Sequence, residues 1–544
     1  MKRKKIFALA LACGMIAAML GGCGKKETAD TDVPVQEAGE EITAEEDGRE
    51  MVGNMYVTGY PIVKEQVTYR MLVCADADPN TMKLWNDYAE KTNIKIIWDY
   101  YDYSTALEKK NLMYSSQDYP DMLGGWLLED SDIVTYGSDV FLPVEDLIAQ
   151  YAPNITRALD EFPKARATMT TPDGHIYGFG IMGPQTECSW ISFINKEWLK
   201  NVNMEMPETL DEFEAVLKAF KEQDANGNGD PDDEIPFAFY NDPYIYGSLF
   251  GAFGRLDNEN HLVMENGKVV FTADKEEYKN GIKWLNHLYE EGLIDQEAFT
   301  QDSIQYGTKG KSGDYSTYGV FIDYNGVNAV NQERYDAEYE VLPPLMGADG
   351  NRLWGEGDKW IFRNQLAITS SVENPEILIR WIDGLYEPEM SYQVCYGPLG
   401  TVTEKTEDGK YQFKEFPAGK TESDIRNAET VSALPYCIMP EFNANIVANP
   451  GTLIKQKADQ AVIPYVTKEP YPIVWKTQEE GKELAMITGD IQKLVNEKRA
   501  QWITGQSNID EEWDVYLESL QKMQLDKYVT INQNAVDRYM ANEK

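Results

Sequence analysis

Histidine is almost absent: His175, His261 and His287 are the only three in 544 residues. No His-Glu-x-x-His and no Gly-x-Ser-x-Gly occurs, so a zinc protease and a serine esterase have no positive support. No Walker loop is present either, which fits a protein that hydrolyses no nucleotide itself. Cysteine is scarce too. Besides Cys13 and Cys23 there are Cys74, Cys188, Cys395 and Cys437, and none forms a Cys-x-x-Cys or another metal spacing. They read as small buried residues, with a disulfide left open. Basic residues are outnumbered, 50 against 91 acids, for a net charge of −41. That excess disfavours nucleic acid and polyanionic partners. After residue 22 no apolar run is long enough to cross a bilayer.

What the chain does have begins at its amino terminus. Lys2, Arg3, Lys4 and Lys5 precede an apolar stretch from Ile6 to Leu20 and small residues before a cysteine, the pattern of an export signal over residues 1–22. Leu20-Gly21-Gly22-Cys23 resembles the bacterial lipobox, which implies cleavage before Cys23 and a lipid, palmitate included, on its thiol. Acyl chains would then hold the protein on the extracytoplasmic face of the cell membrane by its anchor alone. Removing four basic residues and no acids takes the charge from 50 − 91 to 46 − 91, or −45. Residues 23–60 are acidic, poor in large apolar side chains and without periodicity, so they are expected to form a disordered tether.

The roughly 480 residues that follow suffice for two domains. Val67, Tyr69, Met71 and Val73 alternate as in a strand, and Asp78-Pro79 opens a helix with Met82, Trp85, Tyr88 and Ala89 on one face. Ile94 to Tyr101 then alternates again, completing a βαβ opening. Pro120 to Leu123 predicts a third strand, Val144 to Tyr151 a helix, and Thr170 to Phe179 a hairpin turning at Asp173-Gly174. Further helices are expected over Lys275–Gly292 and Pro375–Tyr386, the latter after a strand over Gln365–Thr369. Strand and helix signals alternate, so the fold class is α/β.

Between Asp224 and Glu234 lies the chain's most specific motif. Asp224, Asn226, Asn228 and Asp230 place oxygens at alternate positions round Gly229, and Asp232, Asp233 and Glu234 add further acids. Ca2+ takes six to eight oxygens at about 2.3–2.6 Å, and this spacing supplies them. The bidentate acid is Glu234 or Asp233. A helix enters the loop, with Thr209 and Glu212 as its capping box, while Ile235 to Phe239 leaves it extended. Half of an EF-hand points to a structural ion rather than a sensor.

Several short stretches resemble, in order and spacing, the extracellular solute-binding proteins (family 1) of carbohydrate ABC transporters, and are similar to the alginate-oligosaccharide binding proteins. They are Leu142–Ile148, Asp173–Tyr177, Asn195–Leu199, Met206–Phe213, the Asp224 loop, Gly292–Asp295 and Leu342–Leu345. The resemblance implies a two-lobed, periplasmic-binding-protein-like fold with a hinge and an interlobe cleft. Crossings are expected near Phe179–Pro184, Leu345–Lys359 and Pro398–Thr401. Residues 61–180 plus 350–400 would form lobe one, and 181–349 plus 401–544 lobe two. The implied activity is capture of a carbohydrate, an oligosaccharide, by lobe closure, and its delivery by a monomer to the permease subunits of an importer.

A saccharide offers apolar C–H faces and a rim of hydroxyls, so its site wants aromatic platforms beside planar polar groups. With 33 Tyr and 12 Trp, the chain has candidates in turns at strand ends and near crossings. These are Trp126, Trp190, Tyr240, Asp242, Tyr244, Asp323, Tyr324, Trp354, Glu356, Asp358, Trp360 and Tyr396, with Asn241 and Asn325 alongside. Trp85, Trp284 and Trp381 lie on helical apolar faces and belong to the core. A lining of acids suits neutral or cationic ligands better than uronates. Two alternatives stand beside this reading: a secreted glycan hydrolase, for which two carboxylates suffice, and a receptor presenting sugar to a membrane sensor kinase.

Overall fold

Side chains of a strand alternate between faces, so a strand apolar at every position is buried on both. The second half of Val67–Cys74 does this: Met71 and Val73 enter one core while Leu72 enters another. It lies in a six-stranded sheet ordered Tyr436–Cys437, Gly178–Met182, Ile361–Ile368, Met122–Gly124, Val67–Cys74, Ile94–Tyr101. Ile361–Ile368 runs antiparallel to both neighbours; the other pairs are parallel. A second sheet of four strands is ordered Tyr339–Leu342, Ile191–Asn195, Tyr318–Asp323, Ile235–Ala238, parallel only in its last pair. It too is covered twice, by Ile194, Val320 and Ile322 on one side and Phe193 and Phe321 on the other. These α/β halves are described here from a computed structural model covering residues 43–44, 48–183, 190–241, 243–355, 361–416, 422–431 and 433–543.

Most expected elements are present. The βαβ opening is Val67–Cys74, helix Lys83–Thr92 and Ile94–Tyr101, with Asp78 capping a short turn at Pro79–Thr81 by accepting from the Asn80 N–H at 3.0 Å. Trp85 and Trp381 are core residues of the first lobe, and Trp284 packs half-buried in the second. The expected hairpin over Thr170–Phe179 is not a ladder. Its Asp173-Gly174 turn forms, but Thr171 Oγ1 donates to the His175 carbonyl at 2.7 Å and Tyr177 Oη to Asp173 at 2.8 Å. Side chains satisfy this backbone locally, and pairing starts only at Gly178.

Three expected boundaries are corrected. Ordered chain begins before residue 61: Met55 is fully buried in the first-lobe core, and Tyr60 Oη donates to Glu387 at 2.7 Å. Met51, Met55, Ile62 and Val63 carry enough apolar surface to dock this segment. The described residues of 401–446 belong to the first lobe, since Tyr436–Cys437 extends its sheet and Leu434, Ile438 and Met439 fill its core. Pro398–Thr401 is therefore a turn within one lobe, where the Gly400 N–H donates to the Thr403 carbonyl at 2.7 Å, and not a crossing. The chain enters the second lobe with helix Pro450–Val462, whose Ile454, Ala458 and Val462 lie in its core. Trp354, finally, is packed in the second lobe although 350–400 was expected in the first.

Past Val462 the chain returns once more. Trp475 lies in a first-lobe core, whereas Ile487, Ile491, Val495 and Trp502 of the long helix Gln478–Ile503 fill the second. Trp381 anchors the first lobe: it is 1 % exposed, lies 5.5 Å from the Tyr88 ring, and its carbonyl accepts from Tyr88 Oη at 2.7 Å. Trp381→Ala should cost about 3–5 kcal/mol by urea unfolding, and the half-buried Trp284→Ala clearly less.

Candidate ligand cleft and cation loop

In each sheet the strand directions bring strand ends to one edge. Val67–Cys74, Ile94–Tyr101, Met122–Gly124, Gly178–Met182 and Tyr436–Cys437 all end at one edge of the first sheet, where Ile361 begins opposite Met182. In the second sheet Ile235–Ala238 and Tyr318–Asp323 end at the edge where Ile191 begins opposite Asp323. Residues 183–190 join Met182 to Ile191, and at about 3.5 Å per residue they hold the two edges within roughly 30 Å. Crevices outside the carboxyl ends of strands are where open α/β sheets bind ligands.

At the first edge the backbone turns sharply. Gly125 and Trp126 both take positive φ, 72° and 66°, and a Cβ on Gly125 would stand 2.7 Å from Val73 Cγ2. Only glycine fits so close to Val67–Cys74. The turn pushes Trp126 outward: it is 48 % exposed and meets Phe362, 39 % exposed, edge-on at 5.5 Å. Phe362 was not among the sequence candidates. As one apolar residue just before Arg363, Asn364 and Gln365 it carries no signal of its own; it pairs with Ile181 immediately before the break in register that ends at Leu366.

The second edge carries Trp190 and Tyr240, 6.0 Å apart and edge-on, with Tyr240 also 5.3 Å from Tyr306. Trp354 Nε1 donates to the Trp190 carbonyl at 3.2 Å. Its indole is only 4 % exposed, so it supports Trp190 from the core and offers no platform. Lys455 Nζ sits 4.1 Å above the Tyr324 ring. Asn325 caps the short helix Gly326–Ala329. Trp190 also lines a cavity of about 720 Å³ with Arg255, Glu265, Leu353, Glu469 and Tyr471. Arg255 there bridges Glu265 and Glu277 at 2.6 Å each.

Tyr396 does not join these groups. It packs 5.1 Å from Tyr392 and 5.7 Å from Phe413 on the first lobe, held by an aromatic cluster and not by the cleft. Asp242, Glu356, Asp358, Trp360, the side chain of Tyr244, Cys23 and Cys188 lie outside the described residues. Among the described residues Cys74, Cys395 and Cys437 form no disulfide, and burial pushes the Cys437 thiol up to about 12.

Asp323 is buried, and the loss of water pushes its carboxyl up to about 6 although Asn328 Nδ2 donates to it at 2.8 Å. Between pH 4 and 6 the folded carboxyl thus holds a proton that the unfolded one has released, so this group lowers stability as pH rises through that window. The melting midpoint of the wild type should fall relative to Asp323→Asn from pH 4 to 6.5. The difference in stability is expected on the order of 2 kcal/mol, constant above that range.

The Asp224 loop forms as expected. Gly227 and Gly229 take φ of 75° and 92°, and the Gly229 N–H donates to Asp224 Oδ2 at 2.9 Å. Asn226 and Asn228 donate their amides to Asp233 at 2.8 and 2.7 Å. Asp230 and Asp232 are exposed. Among the described residues no three His, Cys, Asp or Glu side chains converge as a preformed metal centre. Two carboxylate oxygens, Asp224 Oδ1 and Glu234 Oε2, are nevertheless buried with no hydrogen-bond partner, and burial raises the Glu234 pKa, helped by the neighbouring charge of Asp233. Orphaned buried anions of this kind fit an oxygen-seeking cation. They favour Glu234 over Asp233 as the closing acid, since both Asp233 oxygens already accept hydrogen bonds.

With this geometry in view, similar proteins are informative. The pattern of the family described as bacterial extracellular solute-binding protein matches residues 83–367. The fructooligosaccharide ABC transporter substrate-binding protein FusA of Streptococcus pneumoniae serotype 4 (strain ATCC BAA-334 / TIGR4) is 37 % identical over 487 residues, 86 % of this chain and 88 % of FusA. FusA solved with kestose superposes with a TM-score of 0.74 at 34 % identity, covering 88 % of this chain and 100 % of that one. A FusA EF-hand mutant with fructo-nystose gives 0.73 at 34 % identity, with the same coverage. An HMO-binding solute-binding protein of Bifidobacterium longum infantis gives 0.75 at 22 % identity, covering 87 % and 99 %, a likeness of fold alone.

Proposed function

Because the chain belongs to the family of bacterial extracellular solute-binding proteins, we propose that it captures an uncharged oligosaccharide, of the fructooligosaccharide class, and delivers it to an ABC importer. It is a binding protein and not an enzyme, as its relatives are, so two carboxylates in proximity need no catalytic reading. The observation that carries the ligand class is the exposed Trp126–Phe362 pair at one sheet edge, with Trp190 and Tyr240 at the adjoining one. Aromatic faces stack on sugar C–H surfaces, and neighbouring carboxamides and carboxylates take the hydroxyls. A sugar touching both edges binds the closed form better than the open one, and closure follows from that difference alone. The family's sugar-laden closed form is what membrane subunits would recognise.

Three finer readings accompany this. A lipid on Cys23 holds the protein at the outer face of the membrane; no described helix is long and apolar enough to cross one. The protein acts as a monomer. A calcium ion fills the Asp224 loop, with Asp224, Asn226, Asn228, Asp230 and Glu234 as its oxygens and Asp232 and Asp233 at its rim. Ca2+ would supply only charge neutralisation there, joining the end of helix Leu210–Glu222 to strand Ile235–Ala238.

Calorimetric titration with kestose should give saturable binding and no new reducing ends. Trp126→Ala should weaken it about tenfold, or roughly 1.4 kcal/mol. Equal affinity in the two proteins would remove Trp126 from the site, and absence of binding would reject the fructooligosaccharide class. Added Ca2+ at a hundred times its Kd should stabilise the protein by about 2.7 kcal/mol, read as a higher melting midpoint that chelation reverses. In Asp224→Ala the midpoint should no longer respond to Ca2+.

A further inference from the structure

Arg363 stands next to Phe362 in the strand Ile361–Ile368 and has only 7 % of its side chain exposed. The strand is irregular there. Asn364 takes φ of 60°, the register shifts between Phe362 and Leu366, and a Cβ on the facing Gly178 would stand 3.1 Å from Asn364 Cα. Such a bulge redirects side chains. Phe362 is turned to solvent against Trp126, while Arg363 turns under the edge and meets three separate segments.

From the first segment, Asp130 accepts from Arg363 Nε at 2.8 Å and from Asn364 Nδ2 at 3.0 Å; it begins the helix that follows the Trp126 turn. That turn is further held by Lys110, whose Nζ donates to the Leu127 carbonyl at 2.7 Å and to Asp132 at 2.5 Å. From the second, the Thr168 carbonyl accepts from Arg363 Nη1 at 3.0 Å and from Trp475 Nε1 at 2.7 Å. The third is the segment by which the second lobe returns to the first. The Val474 carbonyl accepts from Arg363 Nη2 at 3.1 Å, and the guanidinium lies 3.9 Å over the Trp475 ring. Arg538 of the last helix closes the node on Glu480 and on the Trp475 carbonyl, at 2.9 and 3.2 Å. Burial lowers Lys476 to about 8, with Arg538 and Arg363 adding to the effect, so the node is also short of water.

We propose that Arg363 is a positioning residue that couples the Trp126–Phe362 platform to the Val474–Trp475 hinge strap, so that platform and strap move as one body during lobe closure. The coupling itself is a matter of the node's contacts; that it serves sugar binding rests on the function proposed above. Lysine cannot replace arginine here, because the planar fork and the stacking on Trp475 are both needed.

Hydrogen exchange of the sugar-free protein tests the coupling without any ligand. In Arg363→Gln, amides over 125–132 and over 474–480 should both exchange at least about tenfold faster, with Val67–Cys74 unchanged. Arg363→Lys should show the same pair of changes, and it stands in if the glutamine variant does not fold. Acceleration of 474–480 alone, with 125–132 at the wild-type rate, would overturn the coupling. With kestose, Arg363→Gln should weaken binding about tenfold in the wild type and about twofold or less in Trp126→Ala, since one acts through the other. Losses that simply multiply would also overturn it. Failure of the wild type to bind kestose would reject the ligand class, and the exchange result would still decide the coupling.

Discussion

A sheet covered on both faces can show a ligand only its edge. That constraint governs the rest of this molecule. Met71, Leu72 and Val73 lie in two different cores, as do Phe321 and Ile322 of the second sheet, so these inner strands leave no face for recognition. Recognition groups must then sit where strands end, in turns that carry unusual backbone angles. The paired left-handed residues Gly125 and Trp126 and the bulge at Asn364 are the local consequences.

The chain crosses between the sheets repeatedly, and two of the crossings are pinned at a buried tryptophan. Trp354 fixes the second crossing by donating to Trp190, and Trp475 fixes the last by donating to Thr168. Hinges built this way leave the lobes rigid and put the freedom into a few connecting residues. The large negative charge plays little part in that architecture. Part of it is offset by ion pairs between elements, some near in sequence, such as Lys110 with Asp132, and some far apart, such as Arg363 with Asp130.

Elements with strong periodicity were legible before any coordinates. The alternation from Ile94 to Tyr101, the capping box of Thr209 with Glu212 and the glycine-rich loop after it are local signals, and local backbone chemistry is sufficient to make them. The described residues of 401–446 were misplaced because their assignment depends on a strand of two residues, Tyr436–Cys437, pairing with Gly178–Met182 far away in sequence. Phe362 was missed for the same reason, since one apolar residue turned outward beside a bulge leaves no mark in composition. Trp354 and Tyr396 show the converse: an aromatic residue near a crossing looks like a platform until its neighbours show it to be packed.

What the sequence alone determined, then, is everything whose cause lies within about ten residues: strand and helix periods, caps, the acidic oxygen loop, and the alternation that makes the protein α/β. Tertiary structure alone decided which tryptophans stay in solvent, where the crossings fall, and that Arg363 can touch a platform and a hinge at once. The physical reason is that exposure and contact are properties of pairs of segments, and a pair distant along the chain leaves no local pattern to read.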